Sequence, residues 1–385
     1  MIGEFIIYWA LKNGFKHVEN IKDVESKTFT TLISDLGQFY SITLYFYKKG
    51  KHVIKLTFID SLKILPFSVK DIAKSFNLPI LKLEIDYNKL RKRNHKLTKQ
   101  EKDYITNDVK IVAMALKFMF DQKLKKMTIG SNALGYYKEL ITASKFMHYF
   151  PILDKEIDED LRQAYRGGFT YLNPKYKEKE VKTGVVLDVN SLYPSVMAQE
   201  LLPFDEPVFY EGKYIDDEDY PLYIQMITCT FKIKKNKIPT IQIKKNPMFI
   251  ENEYLEYSGI EPVTLVLTNV DLKLFLEHYD TYDLKYKCGW KFRGARGLFT
   301  EYIEKWIKVK NEATLSGNKP LRSIAKLLLN SLYGKFATGL KVKSKIPYLG
   351  DDDIVHYKFA EETTKDGVYL PIRLFYNFLC TKKDY

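Results

Sequence analysis

The sequence predicts an α+β fold in several pieces. Three features carry that expectation: a strand-rich opening, a strongly signalled helix after it, and an apolar run that ends in an acid and passes directly into a helix start. Residues 30–60, TTLISDLGQFYSITLYFYKKGKHVIKLTFID, alternate β-branched and aromatic residues with polar ones about a Lys-Lys-Gly-Lys turn, as a hairpin does. Thr98 and Glu101 then form a Thr-x-x-Glu capping box. Behind it Ile105, Val109, Val112, Leu116 and Met119 recur at helical spacing, so a long helix buried on one face starts near Lys99. Val185-Val186-Leu187 reads as a buried strand ending at Asp188, and Tyr193-Pro194-Ser195 as the helix start after a turn. Residues 200–297, rich in Tyr and Lys with short strand signals, read as a mixed domain of their own. From Leu298 the pattern is helical, breaks at Gly317-Asn318-Lys319-Pro320, and resumes as LRSIAKLLLNSLY before Gly334, which suits a helix C′ glycine. That is a helical hairpin.

Length and composition narrow the class. At 385 residues the chain exceeds what one core serves, so roughly two to three domains are expected. No run approaches the ~18 apolar residues that span a bilayer, and the opening stretch lacks a signal-peptide cleavage pattern, so no membrane partner is expected. The formal charge of +13 stands beside 29 Tyr and 24 Phe. Cations neutralise phosphates and rings stack on bases, so nucleic acid is a candidate partner, although basic surfaces also occur without one.

Several residues could carry chemistry. Asp188, at a strand end, could hold a divalent cation with the Val189 carbonyl as a second oxygen ligand, or could cap its own turn. Arg322, Lys326, Asn330 and Tyr333, at offsets of four, four and three, share one helix face suited to a triphosphate and a base, while Ile324, Leu327, Leu328 and Leu332 supply the buried side. A solvated face would also accept the two cations. Tyr104 and Asp108 stand at i and i+4, placed to bind a metal and orient water or to make a local hydrogen bond. Tyr165-Arg166-Gly167-Gly168 is a loop whose glycines permit close approach to phosphates. Asp351-Asp352-Asp353 reads as a solvated turn, and Asp23-x-Glu25 sits in a polar loop without the buried strand a metal site needs.

In this order the segments resemble the protein-primed family B DNA polymerases of small tailed bacteriophages and linear mobile elements. YITND (104–108) is similar to the third exonuclease motif, YRGGF (165–169) to the loop joining exonuclease and palm, DVNSLYPS (188–195) to polymerase motif A, and KLLLNSLYG (326–334) to motif B of the fingers. The resemblance implies a partial ribonuclease-H-like exonuclease domain, an incomplete polymerase palm and helical-hairpin fingers. It divides the chain into an exonuclease part over 1–128, the first part of the palm over 129–199, a terminal-protein-binding insertion over 200–297, fingers over 298–337, a second insertion over 338–370, and a divergent truncated tail over 371–385.

It also implies roles. Asp188 and Val189 would hold Mg²⁺ in the palm, and Tyr193 would exclude a ribose 2′ hydroxyl. Lys326, with Lys310 and Arg322 beside it, would hold the incoming dNTP, and Tyr333 would border the nascent base pair. Ser191, Asn330 and Gly334, with Tyr165, Gly167 and Gly168, would lie along template or primer. In the exonuclease part Asp108 would bind metal, Tyr104 would orient water and Lys82 would assist, while Ser61, Leu62 and Phe67 would grip the unpaired 3′ end. Implied partners are a DNA template and primer and a terminal protein that primes synthesis, in the cytoplasm of a bacterial host.

The sequence departs from the family's pattern at both ends. It has no first exonuclease Asp-x-Glu motif and no Tyr-x-Asp-Thr-Asp, and so no Lys-x-Tyr following one. The expectation is therefore a DNA-directed DNA polymerase by descent that polymerises little as this chain alone. A separately encoded C-terminal fragment would restore it; otherwise the chain is a remnant that binds DNA or terminal protein without chemistry. Exposed sheet edges are expected as well.

Overall fold

The alternating stretch, the capping box and the helix break each fold where their residue types demand. The structure, a computed structural model, describes residues 2–34, 37–92, 95–189, 191–242, 254–338 and 345–359; the tail expected over 371–385 lies outside them. Helix α1 (Ile2–Lys12) leads into strands β1 (Lys16–His17), β2 (Thr28–Ile33), β3 (Phe39–Lys49) and β4 (His52–Ile59). Helices α2 (Val69–Ser75), α3 (Lys99–Asp121), α4 (Ile129–Ile141), α5 (Ala143–Tyr149), α6 (Lys155–Ala164) and α7 (Leu192–Gln199) follow. Next come β5 (Leu202–Glu211), β6 (Leu222–Ile233), β7 (Ile241–Gln242), β8 (Tyr254–Leu255), β9 (Val263–Thr268), α8 (Asn269–His278) and β10 (Tyr279–Ala295). The last described elements are α9 (Thr300–Leu315), α10 (Lys319–Ser331), α11 (Tyr333–Phe336), β11 (Lys345–Leu349) and β12 (Val355–Phe359). The described residues group into two compact units, one of 2–137 with 302–359, the other of 138–301.

In the first unit the sheet runs β1-β2-β3-β4, with β1 parallel to β2 and the rest antiparallel. The expected hairpin is β3–β4, closed at Gly50, whose φ of +56° a glycine adopts without strain. Its outer strand β4 lies at the sheet edge with all eight residues exposed, Ile54 at 64%. Helix α1 covers the sheet through Ile7 and Ala10, which pack with Phe15, Phe29, Ile33, Ile42 and Leu44. Val355 and Tyr357 of β12 pack on the same core. The hairpin β11–β12 turns through Asp351–Asp353, an exposed turn as expected, and Asp353 also makes contacts the sequence did not show. Its backbone is left-handed at φ +60°, and its carboxylate accepts a hydrogen bond from the Tyr8 hydroxyl at 3.0 Å and pairs with the Lys12 ammonium. Asp352 turns the other way, onto His356 at 2.9 Å.

Helix α3 begins at Lys99, and both bonds of the capping box form: Glu101 N–H to Thr98 Oγ1 at 3.2 Å, and Thr98 N–H to Glu101 Oε2 at 2.9 Å. The buried stripe differs from the expected one. Ile111, Ala115 and Met119 are buried, whereas Ile105 and Val109 are exposed. Tyr104 and Asp108 lie two turns and one turn ahead of Ile111 on that stripe, so the polar pair faces inward while Ile105 and Val109 face out. Helices α9 and α10 are joined as expected. Gly317 takes φ +69°, and Asn318 Oδ1 caps α10 by accepting from the Leu321 N–H at 3.1 Å. Tyr302 donates its hydroxyl to the Leu328 carbonyl at 3.0 Å, tying the pair together. Gly334 is not a C′ glycine: it lies inside α11 with negative φ, because the chain makes one more helical turn.

The second unit is built on a sheet of order β5-β10-β6-β9, antiparallel at every pairing. Its strands are longer than the sequence signals suggested, β10 reaching 17 residues, because bulges between Tyr282 and Lys285 and between Tyr286 and Cys288 interrupt the alternation that marks a strand. Helix α8 packs its Leu272 and Phe275 against Ile227, Cys229, Phe231 and Tyr279. At the sheet centre Gly289 admits no side chain, since a Cβ there would lie 2.0 Å from the Ile224 carbonyl oxygen.

Glu101 is 4% exposed and both its oxygens are bonded. The His95 ring, the Thr98 amide and the Arg91 guanidinium hold its carboxyl well below the usual carboxylate range. A depressed carboxyl contributes stability above its unfolded pKa of about 4.3 and loses it as pH falls through the folded value. Glu101→Gln is therefore expected to lower the melting temperature at pH 7, with the gap to the parent closing below about pH 4, as read by circular dichroism melts across pH.

Candidate active site

In the first unit α3 presents Tyr104 and Asp108 to a segment that its own Asn107 secures, donating to the Leu81 carbonyl at 3.2 Å. Lys82, next in chain, donates to the Tyr104 hydroxyl and to Asp108 Oδ2, each at 2.7 Å, and lies 4.5 Å from the Tyr104 ring centre. Burial works to lower the Lys82 pKa, and the bonds to Asp108 and Tyr104 outweigh it, so the ammonium stays charged. For the Tyr104 hydroxyl the Lys82 bond pulls down while Tyr87, burial and the Asp108 charge push up, leaving it above its ordinary value. Tyr87 bonds the Tyr104 hydroxyl directly. The sequence reading missed it, although it follows Lys82 by only five residues in LKLEIDY. The other oxygen of Asp108, Oδ1, is buried without a hydrogen-bond partner. An orphaned carboxylate oxygen beside a neutral hydroxyl fits a divalent cation with its bound water.

Ser61, Leu62 and Phe67 lie in the same unit. Ser61 and Leu62 start a single turn capped by Asp60, whose Oδ1 accepts from the Leu62 N–H at 2.9 Å; Leu62 is exposed and Phe67 half-buried. On α10, Arg322, Lys326 and Asn330 are exposed, and Tyr333 follows at 38% exposure. Ile324, Ala325, Leu328 and Leu329 form the buried side, so the polar face is as expected and the apolar face is shifted by one position from Leu327. Lys310 is half-buried on α9.

In the second unit, residues 185–187 form no strand, against expectation: Val185, Val186 and Leu187 are 83%, 97% and 88% exposed. A buried strand needs neighbours on its edges and both faces, and this run pairs with none among the described residues. Asp188 and Val189 are consequently exposed in an irregular segment. After them Ser191 takes the left-handed backbone, φ 54° and ψ 47°, and α7 begins, its Ser195 hydroxyl donating to the Ser191 carbonyl at 3.1 Å. Tyr193 projects toward the glycine loop: a Cβ on Gly168 would lie 3.6 Å from its hydroxyl. Motif and loop, 25 residues apart in chain, thus meet. Tyr165, Gly167 and Gly168 are exposed, while Arg166 between them turns inward, donating to the Val266 carbonyl at 3.2 Å. Burial pushes its pKa down, and its Nε has no partner. Arg166 was not among the expected site residues; its place between an exposed Tyr and two glycines was the available signal. No group of three metal-ligating side chains forms among the described residues.

The structure thus presents a carboxylate bonded by lysine and backed by two tyrosines, a separate Asp leading into a Tyr-bearing helix, and a helix face of Arg, Lys, Asn and Tyr. The profile of DNA polymerase type B, organellar and viral, matches residues 3–101 and 33–384. The DNA polymerase of Bacillus phage M2 is 49% identical over 373 residues, 97% of this chain and 64% of that protein. That of Streptococcus phage Cp-1 is 35% identical over 383 residues, 97% of this chain and 63% of that one. Among solved structures, Phi29 DNA polymerase complexed with primer-template DNA gives a TM-score of 0.87 at 48% identity, covering 94% of this chain and 62% of that one. The chain belongs to the family B DNA polymerases of organelles and viruses, of the protein-primed kind its motifs resemble. It spans 64% of the length of the Bacillus phage relative, and the mixed α+β fold agrees with the expected class.

Asp108→Asn removes the charge that sustains the Lys82 ammonium in a half-buried place. The Lys82 pKa is expected to fall, as followed by side-chain NMR of ¹³C-methylated lysines; an unchanged value would show that Tyr104 alone holds it.

Proposed function

We propose that this chain provides the nucleotide-selecting and proofreading surfaces of a DNA-directed DNA polymerase, transferring dNMP to a 3′ hydroxyl or to the hydroxyl of a priming terminal protein. The observation that carries the reading is the likeness to Phi29 DNA polymerase complexed with primer-template DNA and incoming nucleotide substrates, at TM-score 0.84 and 48% identity over 94% of the chain. Partners under this reading are the DNA template and primer and the terminal protein. The domain boundaries set out from the motifs, from the exonuclease part over 1–128 to the second insertion over 338–370, belong to the same proposal.

Asp188, with the Val189 carbonyl, offers oxygen ligands at the palm; Mg²⁺ bound there would stabilise charge on the transferring phosphate. Tyr193 sets its ring against the sugar and excludes a 2′ hydroxyl. Arg322, Lys326 and Lys310 neutralise the triphosphate, and Tyr333 packs beside the new base pair. Ser191, Asn330, Gly334, Tyr165, Gly167 and Gly168 line the strands. For proofreading, Ser61, Leu62 and Phe67 receive the frayed 3′ end, Asp108 offers its free oxygen to a cation, Tyr104 orients the water, and Lys82 fixes both. The exposed 185–187 run supports low polymerisation by these residues alone. A polypeptide supplying a second carboxylate raises it. The same observation favours, as the second reading, a module that binds DNA without chemistry.

Primer extension on a primed single-stranded template separates the two. We expect extension only when the remaining length of a relative such as the Bacillus phage M2 polymerase is added, and a loss on Asp188→Ala of about 10²-fold or more. Robust extension by the chain alone, unaffected by Asp188→Ala, would overturn the proposal; DNA binding without extension in any mix would leave the binding module. In the active mix Lys326→Ala is expected to raise the dNTP KM by about tenfold, a loss of ~1.4 kcal/mol, and Tyr193→Val to admit ribonucleotides, as read by steady-state incorporation of dATP against ATP.

A further inference from the structure

The second unit contains a cavity of about 450 Å³ that holds neither Asp188 nor Tyr193 nor any glycine of the 165–169 loop. Ligand sites commonly fall between about 300 and 1,000 Å³. Its walls come from the α4–α5 junction, α5, the start of β5 and the turn after β10. Lys145 and Arg296 bring positive charge to it, Tyr149 and Phe204 an aromatic wall, and Glu301 a single acceptor carboxylate.

The polar groups have capacity to spare. Lys145 makes no ion pair among the described residues, and its backbone N–H is held by Thr142 Oγ1 at 3.4 Å. Arg296 Nη1 donates to the Gln199 carbonyl at 2.5 Å, and the guanidinium lies 3.9 Å from Glu200, which leaves further N–H donors of its five. The rings of Tyr149 and Phe204 meet edge to face at 6.1 Å and 88°. Thr142, on the wall, has φ +72° and ψ 150°, a backbone region that belongs to glycine. Such outliers cluster at ligand sites, where surrounding structure holds them.

We propose that this cavity is a second nucleotide pocket that takes a nucleoside phosphate, free or as one unit of a single strand. Two cations match the phosphate, with Arg296 able to offer paired donors to two of its oxygens. The aromatic wall takes the base, whose π-face stacks on rings without sequence preference. Glu301 accepts from an exocyclic amine or a sugar hydroxyl, the donors a nucleoside has and a bare phosphate lacks. The pocket shares no residue with the polymerase and exonuclease assignments above and stands apart from that reading.

Isothermal titration of the full chain with dAMP, with a 5′-phosphorylated single-stranded oligonucleotide, and with inorganic phosphate tests it. The doubly substituted Lys145→Ala, Arg296→Ala chain is expected to lose at least tenfold in dAMP affinity at an unchanged melting temperature, while Lys326→Ala leaves that binding in place. Tyr149→Leu, which keeps the apolar volume, should weaken dAMP and leave phosphate alone. Tighter binding of the oligonucleotide than of dAMP assigns the pocket to a strand, and the reverse to a free nucleotide. The proposal is overturned if the double substitution leaves dAMP affinity unchanged, if Lys326→Ala alone abolishes it, or if phosphate binds as tightly as dAMP.

Discussion

A single buried carboxylate sets the phase of the longest helix in the chain. Glu101 gives one oxygen to Arg91 and the other to His95 and the Thr98 amide, so α3 can begin nowhere but at Lys99. Once a helix has a fixed start, the azimuth of every later side chain follows at about 100° per residue. Tyr104, Asp108, Ile111, Ala115 and Met119 then fall on one inward stripe, and the stripe that anchors the helix in its core also delivers a hydroxyl and a carboxylate to Lys82. Packing and chemistry share a face, and displacing either displaces both.

The second unit obeys a contrasting constraint. Its sheet is secured at the centre by Gly289 and by buried Gln225, whose Nε2 donates to three carbonyls and whose Oε1 accepts from Tyr210 and Tyr214. Asp188, by contrast, rides on a segment that forms no strand and leaves three apolar side chains in water. Burying side chains of that size contributes roughly 1.5–3 kcal/mol each, so the segment forgoes a large share of the stability its composition could supply. Rigid and unanchored parts sit side by side within one unit, with Tyr193 and Gly168 as the point where motif and loop meet.

What was legible in the sequence was local. A Thr-x-x-Glu box, a glycine turn between alternating strands, and Gly-Asn-Lys-Pro between two helical stretches each act through nearest neighbours, and each formed where expected. What was misread depended on distant partners. Val185 to Leu187 has a buried strand's composition but no strand beside it among the described residues. Ile105 and Val109 of α3 are spaced to be buried but lie off the side that the core fills. The turn at Asp353 is exposed as read, but its bonds to Tyr8 and Lys12 were not legible because those partners stand some 340 positions away. In the candidate site, Lys82, Tyr104 and Asp108 were legible as residues, whereas Tyr87 and the inward turn of Arg166 became visible only with the fold.

The clasp of Asp353 on Tyr8 and Lys12, with Val355 and Tyr357 against the α1 core, bears on how the chain is made. The first unit draws on both ends of the described sequence, with residues 138–301 between them. At ribosomal speeds of about 5–20 residues per second, that intervening stretch takes on the order of 10–30 s to emerge. For that interval α1 and the four-stranded sheet stand on the ribosome without the hairpin that seals them, their edge strand β4 bare. Synthesis order, rather than final stability, then sets when this half of the molecule is most open to chaperones, proteases and its own copies.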